Sequence, residues 1–173
     1  TSAFIDLKLS TASKQQVLDC FLQANIFPLI RQRPFNKVAD PSVCPRDIFI
    51  SAYNSAPLSV DLATLIEKNR ELFQVGLNAI CKLTTGNVYL TSSKNTKDFE
   101  NVENYTISGP HPAGNIGIQI HHIKPIKPGE VVWTINAQHV ITIGRLFKTG
   151  IYDSNCLVSI GGSGATKPQL IEV

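Results

Sequence analysis

Residues 108–150, SGPHPAGNIGIQIHHIKPIKPGEVVWTINAQHVITIGRLFKTG, decide the fold class. The opening Gly109-Pro110-His111-Pro112-Ala113-Gly114 is too rich in glycine and proline for a helix or a central strand, and reads as a loop. An apolar segment follows from Asn115 to Ile123, then turns at Pro125 and at Lys127-Pro128-Gly129-Glu130, then a short β-type run from Val131 to Ile135. Val140, Ile141, Ile143, Gly144, Leu146 and Phe147 then recur at helical spacing. Arg145 and Lys148 near the end, and Gly150 just beyond, suit the dipole and the last free carbonyls of a helix C-terminus. The stretch therefore predicts loop, apolar segment, strand and helix.

Working outward, Ser13-Lys14-Gln15-Gln16 has the capping-box pattern, and Val17, Leu18, Phe21 and Leu22 follow at helical spacing. This predicts an amphipathic helix over Lys14–Ala24 with Asn25 as its cap. Asp47 to Ala52 is a buried-strand run, and Asn54 to Pro57 is a turn. Helical patterns follow at Val60–Ile66 and Leu72–Leu83. Val88–Thr91 is a further strand, the polar Asn95–Asn101 a short helix, and Tyr105–Ile107 a strand. Strands alternating with helices predict a mostly parallel sheet covered by helices on its faces. With right-handed crossovers, this is an α/β, Rossmann-like, doubly wound layer. Cys156–Ile160 and Gln169–Val173 flank Gly161-Gly162-Ser163-Gly164 and break the alternation. They read as a hairpin-like pair opening a separate β-rich unit, which divides the chain into residues 1–153 and 154–173.

The bulk composition fits one ordinary core. Of 173 residues, 43% are hydrophobic and 17% charged, which places the chain among globular proteins. A net charge of +3 with scattered lysines and arginines does not argue for nucleic acid. No apolar run approaches the roughly 20 residues needed to cross a bilayer, so any membrane link is expected to pass through a partner. Methionine is absent, and the chain is read as a piece of a longer protein. Cys20, Cys44, Cys81 and Cys156 lie far apart without a C-x-x-C pair, against zinc and iron–sulfur ligation. Reduced, mostly buried thiols are the expectation.

A doubly wound sheet invites a search for nucleotide chemistry. After the first strand of the alternation, Ala52 to Leu58 contains no glycine, whereas a dinucleotide loop needs glycines so that its amides can approach a pyrophosphate. A standard NADH site there is not expected. His111, Gly114 and Gly117 lie in a loop that could present amides to an anion at a helix start, or serve as a structural turn. Gly161 to Gly164 is a hairpin loop. Arg31, Arg33, Phe35 and Lys37 surround Pro34 in what reads as a loop. Such a loop can grip an anionic or aromatic ligand, or a partner, through guanidinium forks and ring stacking. It can equally be a solvated connector with Phe35 tucked into the core. Adjacent His121 and His122 cannot share a face, so no metal site is assigned. No nucleophile elbow or paired carboxylates appear, so no catalytic residue is assigned.

Several of these pieces together carry a resemblance. SGPHPAGNIG followed by VVWTINAQHVITIGRLFKTG, with Phe27–Phe35, Gln74–Leu77 and Leu157–Gly162, resembles the A subunit of the Na⁺-translocating NADH:quinone oxidoreductases. It is more distantly similar to the C subunit of the Rnf electron-transport complex. The resemblance implies a Rossmann-like domain, akin to that of the flavin- and NADH-binding subunit of respiratory complex I. A ubiquitin-like β-grasp domain of the SLBB type would begin at 154. It implies a peripheral subunit on the cytoplasmic face of the bacterial inner membrane, docked on integral-membrane subunits. The whole complex would couple NADH oxidation and ubiquinone reduction to Na⁺ export. This subunit would have an assembly and quinone-associated role and bind no redox cofactor. The alternatives are a flavin- or NADH-binding electron-transfer subunit of the Rnf or complex I type, and a ligand-free scaffold.

Overall fold

Ser13 begins the first helix as its spacing predicts. In the computed structural model, which describes residues 7–93 and 99–173, its hydroxyl accepts from the Gln16 amide and the Gln16 side chain accepts from the Ser13 amide. The helix, α1, spans Lys14–Gln23. Asn25, at φ 54°, closes it: its amide reaches Leu22 O and the Ile26 amide reaches Phe21 O, the paired bonds of a Schellman end. Val17 and Phe21 are fully buried on its inner face.

The sheet has six strands in the order β2 (Lys37–Val38), β1 (Ile30–Arg33), β6 (Val132–Asn136), β3 (Ile48–Ala52), β4 (Val88–Ser92), β5 (Glu103–Thr106). β6, β3, β4 and β5 run parallel, while β1 and β2 form an antiparallel hairpin on the β6 edge. The expected α/β architecture with a mostly parallel sheet is present. The expectation of a loop over residues 31–37 is corrected, because Pro34 falls in the turn of the hairpin, where it removes no ladder donor. Asn36, at φ 53°, supplies the left-handed residue that brings the chain back. Of the short helix expected over Asn95–Asn101, residues 95–98 lie outside the described residues and 99–101 are not helical.

Strand alternation sends side chains to two layers. Ile48, Ile50, Leu90, Trp133 and Ile135 join the larger core with α1, α2 (Leu62–Lys68), α3 (Arg70–Cys81) and α5 (Ala137–Thr149). Phe49, Tyr89 and Val132 point the other way, onto Ile120 of α4 (Ile116–Ile123). Within the larger layer, α3 and α5 meet backbone to backbone. A methyl group at Gly144 would overlap the Leu72 carbonyl, and one at Gly76 would overlap the Val140 carbonyl. α5 ends at Gly150, left-handed at φ 74°, as its sequence predicts. The antiparallel pair β7 (Leu157–Ile160) and β8 (Gln169–Glu172) forms the second sheet. Gln138 of α5 fastens it by exchanging bonds of 3.1 and 2.8 Å with the Leu157 carbonyl and amide.

The N-terminal end of the parallel sheet is held by one carboxylate. Asp47, fully buried, accepts from Lys124 Nζ at 2.8 Å, Arg46 Nε at 2.6 Å and the Asn87 amide at 3.0 Å. Arg46 in turn bonds Glu130 and the carbonyls of Lys124 and Pro125, so the turn after α4 is pinned to β3. Burial by itself would push the Asp47 carboxyl up, but the hydrogen bonds from Lys124, Asn87 and Arg46 outweigh it and hold the group below the usual carboxylate range.

The cysteines are all free, but only Cys20 is buried; Cys44 is exposed, correcting the expectation of mostly buried thiols. Lys14 Nζ lies 3.0 Å from its sulfur and draws the thiol below its ordinary pKa.

Two outcomes are expected. Gly144→Ala should lower stability by about 1–3 kcal/mol in denaturant melts, because backbone, not a pliable side chain, fills the space. Asp47→Asn should cost about 2 kcal/mol at pH 7. Because the folded pKa is depressed, the carboxylate's contribution is complete above the unfolded value, about 3.9, and is lost as pH falls through the folded one. The gap between the parent and variant in a pH-stability series should therefore narrow below about pH 4.

Candidate functional site

Strand order reverses between β3 and β6: from β3 the chain moves outward through β4 to β5, then returns to β6 on β3's other side. The chain leaves β3 into α2 and β6 into α5 on the larger face, while α4 approaches β6 from the other face, and the carboxyl ends of such neighbouring strands are the usual ligand position in open α/β sheets. A cleft of about 330 Å³ lies there. Its floor and walls come from Ser51, Tyr53 and Asn54 after β3, Thr134, Ile135 and Asn136 of β6, and His139 of α5. Gly114, Asn115 and Ile116, at the start of α4, close one side, and Arg31, Arg33 and Asn36 of the hairpin close the other.

The entrance of α4 is held in place by polar bonds. Gln119, 1% exposed, accepts from Thr91 Oγ1 at 2.6 Å and donates to the Ala113 carbonyl at 3.2 Å. The loop before it is zipped onto the loop after β3. Tyr53 donates to the Gly109 carbonyl at 2.9 Å, the Gly114 amide donates to Ser55 Oγ at 2.8 Å, and His111 Nδ1 sits 3.2 Å from that same hydroxyl. A methyl at Gly114 would press on the Ser55 amide, 2.3 Å away in the absence of relaxation, so only glycine permits this seam. Asn115 occupies the N-cap without a side-chain cap bond. The amides of Ile116 and Gly117 have no partner among the described residues.

Arg31 and Arg33 stand two residues apart on β1 and share a face, opposite the buried Ile30 and Gln32. Neither guanidinium has a hydrogen-bond or ion-pair partner among the described residues, and the Arg33 Nε is buried without one. Burial first, and the neighbouring Arg31 charge second, lower the Arg33 pKa. His139 places Nδ1 3.3 Å from the Leu29 carbonyl; burial lowers its pKa, the carbonyl bond opposing, so the ring is neutral at pH 7.

The sequence-derived candidates thus separate. Arg31, Arg33 and Gly114 meet in the cleft, while Phe35 is 85% exposed and Lys37 exposed beyond its lining. Phe35 is therefore not tucked into the core. His111 acts in the loop seam and not in the cleft lining, and Gly117 faces open space. Ser51, Tyr53, Asn54, Asn136 and His139 carry no ligand signature in the sequence. The reversal of strand order that gathers them is a property of pairing, and only the carboxyl-end position of Ser51 and Asn136 on predicted strands hints at it.

An α/β domain with a mostly parallel sheet and a cleft where strand order reverses is the class that fold and site define. The family model described as the NqrA second alpha/beta domain matches residues 12–152. The chain is 37% identical over 168 residues to the A subunit of the Na(+)-translocating NADH-quinone reductase of Pseudomonas aeruginosa PAO1, covering 95% of this chain and 37% of that protein. It is 35% identical over 167 residues to the corresponding protein of Neisseria meningitidis serogroup B, covering 94% and 37%. Against that of Rhodopirellula baltica it is 34% identical over 164 residues, covering 92% and 36%. The chain belongs to the NqrA second alpha/beta domain family. It spans about 37% of the length of these relatives. Among the described residues, no helix is long and apolar enough to cross a membrane.

The two loop glycines should respond oppositely to alanine. Gly114→Ala should destabilise by about 1–3 kcal/mol through the Ser55 clash. Gly117→Ala should raise stability by about 0.5–1 kcal/mol, since the space is open and alanine favours helix. Thermal denaturation of both variants checks the pair.

Proposed function

We propose that this chain is the Rossmann-like domain of the A subunit of a bacterial Na⁺-translocating NADH:quinone reductase, and that it opens a β-grasp domain at residue 154. The complex couples NADH oxidation and ubiquinone reduction to Na⁺ export. This subunit sits peripherally on the cytoplasmic face of the inner membrane, contacts integral-membrane subunits, and has an assembly and quinone-associated role without a redox cofactor of its own. The observation that carries this reading is the family match across residues 12–152, joined to relatives named as the A subunit of this reductase.

The loop chemistry supports the cofactor-free part. Where a dinucleotide site needs bare glycine backbone, β3 is followed by Tyr53, Asn54 and Ser55, and the Gly109–Gly114 loop is bonded against them. The apolar residues Val158, Ile160 and Leu170, exposed on the β7–β8 pair, support the start of a larger β unit there. For docking, the hairpin tip offers Phe35, the most exposed large hydrophobic side chain among the described residues, beside the cation Lys37. An aromatic anchor flanked by a cation suits a contact with an integral-membrane partner.

In the assembled complex, Phe35→Ala with Lys37→Ala should lower the yield of this protein that copurifies with its partners, with quinone reduction falling in proportion. The chain's own melting temperature should stay unchanged, because neither side chain is buried. A complex that retains the double variant fully, at parental turnover, would show that the hairpin tip is a solvated connector. Flavin absorbance bands in the isolated chain would remove the cofactor-free reading.

A further inference from the structure

Two guanidinium groups stand side by side on one strand in a cleft without acidic partners, Arg31 exposed and Arg33 half-buried, and the cost falls on Arg33. They repel each other, and the Arg33 Nε gives up its water without gaining an acceptor in return. The opposite wall adds no compensating carboxylate. None of the residues lining the cleft is Asp or Glu. It adds more donors instead: the uncapped amino end of α4, whose Asn115 and Ile116 line the cleft, with the Ile116 amide free among the described residues and the positive end of the helix dipole behind it. The hydroxyls and amides of Ser51, Tyr53, Asn54 and Asn136 complete a polar rim.

We propose that this cleft binds a phosphate group, with Arg31 and Arg33 as the fork on one side and the amino end of α4 on the other. A phosphate monoester carries up to two negative charges and three terminal oxygens, which match two guanidinium forks and a free helix-end amide. A carboxylate, with one charge and two oxygens, would leave donors on one wall unused. Quinone carbonyls, being uncharged, would leave the two guanidinium charges unbalanced. The arrangement holds the phosphate of a small molecule or of a lipid headgroup equally well, because the recognised chemistry is the same. The inference rests on the cleft alone and stands whether or not the respiratory role does.

Inorganic phosphate, AMP and phosphatidylcholine vesicles containing phosphatidic acid are the three probes, each titrated into the chain at constant ionic strength balanced with chloride. Amide chemical shifts report the position and calorimetry or vesicle flotation reports the affinity. Phosphate should move the Ile116 amide saturably. Arg31→Gln with Arg33→Gln should weaken binding by about tenfold or more. Lys68→Gln, on the exposed end of α2, should leave it unchanged. The double variant should melt no lower than the parent, since it removes a like-charge pair, and its melt separates lost binding from lost folding. Should it unfold, the Arg33→Lys single variant, which keeps the charge but not the fork, is expected to fold and to weaken binding. Saturable binding of AMP without vesicle binding assigns a small-molecule ligand, and binding confined to the vesicles assigns a headgroup. No saturable response to any probe, or an affinity that survives loss of both arginines, overturns the proposal.

Discussion

A single buried carboxylate organises the end of the sheet away from the cleft. Asp47 opens β3, and its oxygens gather the start of β4 through the Asn87 amide and the end of α4 through Lys124. Its backbone carbonyl also accepts from the Trp133 amide of β6. Arg46 extends the same network into the turn before β6. A buried charge is tolerated only when its lone pairs are filled, and here three donors fill them. Three parallel strands and the helix above them are therefore aligned from one point. That alignment sends the amino end of α4 toward the carboxyl ends of β3 and β6.

The two faces of the sheet solve packing differently. On the larger face, Gly76 and Gly144 let α3 and α5 touch through their backbones, which draws both helices tightly over Ile48, Ile50 and Leu90. On the other face a single short helix, α4, covers Phe49, Tyr89 and Val132, and Gln119 anchors it by a hydrogen bond to Thr91 where further apolar contact is missing. The smaller cover leaves a cleft on this side between the start of α4 and Arg31 and Arg33.

Kinship with NqrA second alpha/beta domains gives this arrangement a setting without explaining it. The Gly109–Gly114 loop fills the seam beside β3 that a glycine-rich nucleotide loop would need, and Tyr53 and Ser55 lock it there. A fold with a crevice at its switch point can thus keep the crevice and alter the chemistry around it. What remains is a polar pocket with an excess of donors and positive charge, distinct from a glycine-lined dinucleotide site.

Local rules in the sequence determined most of the elements. The Ser13 capping box, the Asn25 and Gly150 helix ends and the strand at Ile48–Ala52 follow from contacts within a few residues, so their spacing alone specifies them. The alternation after residue 47 determined the parallel sheet, because parallel strands require crossovers. Tertiary structure decided the rest. Pro34 breaks regular pairing by local rules, and pairing places it in a hairpin turn, where its missing N–H costs no ladder bond. Gly114 and Gly117 are indistinguishable by sequence, yet one lies against Ser55 and the other against open space. Arg31, Arg33 and Gly114 were legible one by one, but their meeting in one cleft was not. The cleft brings Arg31 to within a pocket's width of Asn136 and Gly114, across more than 80 residues of chain, through a strand order that no local pattern encodes.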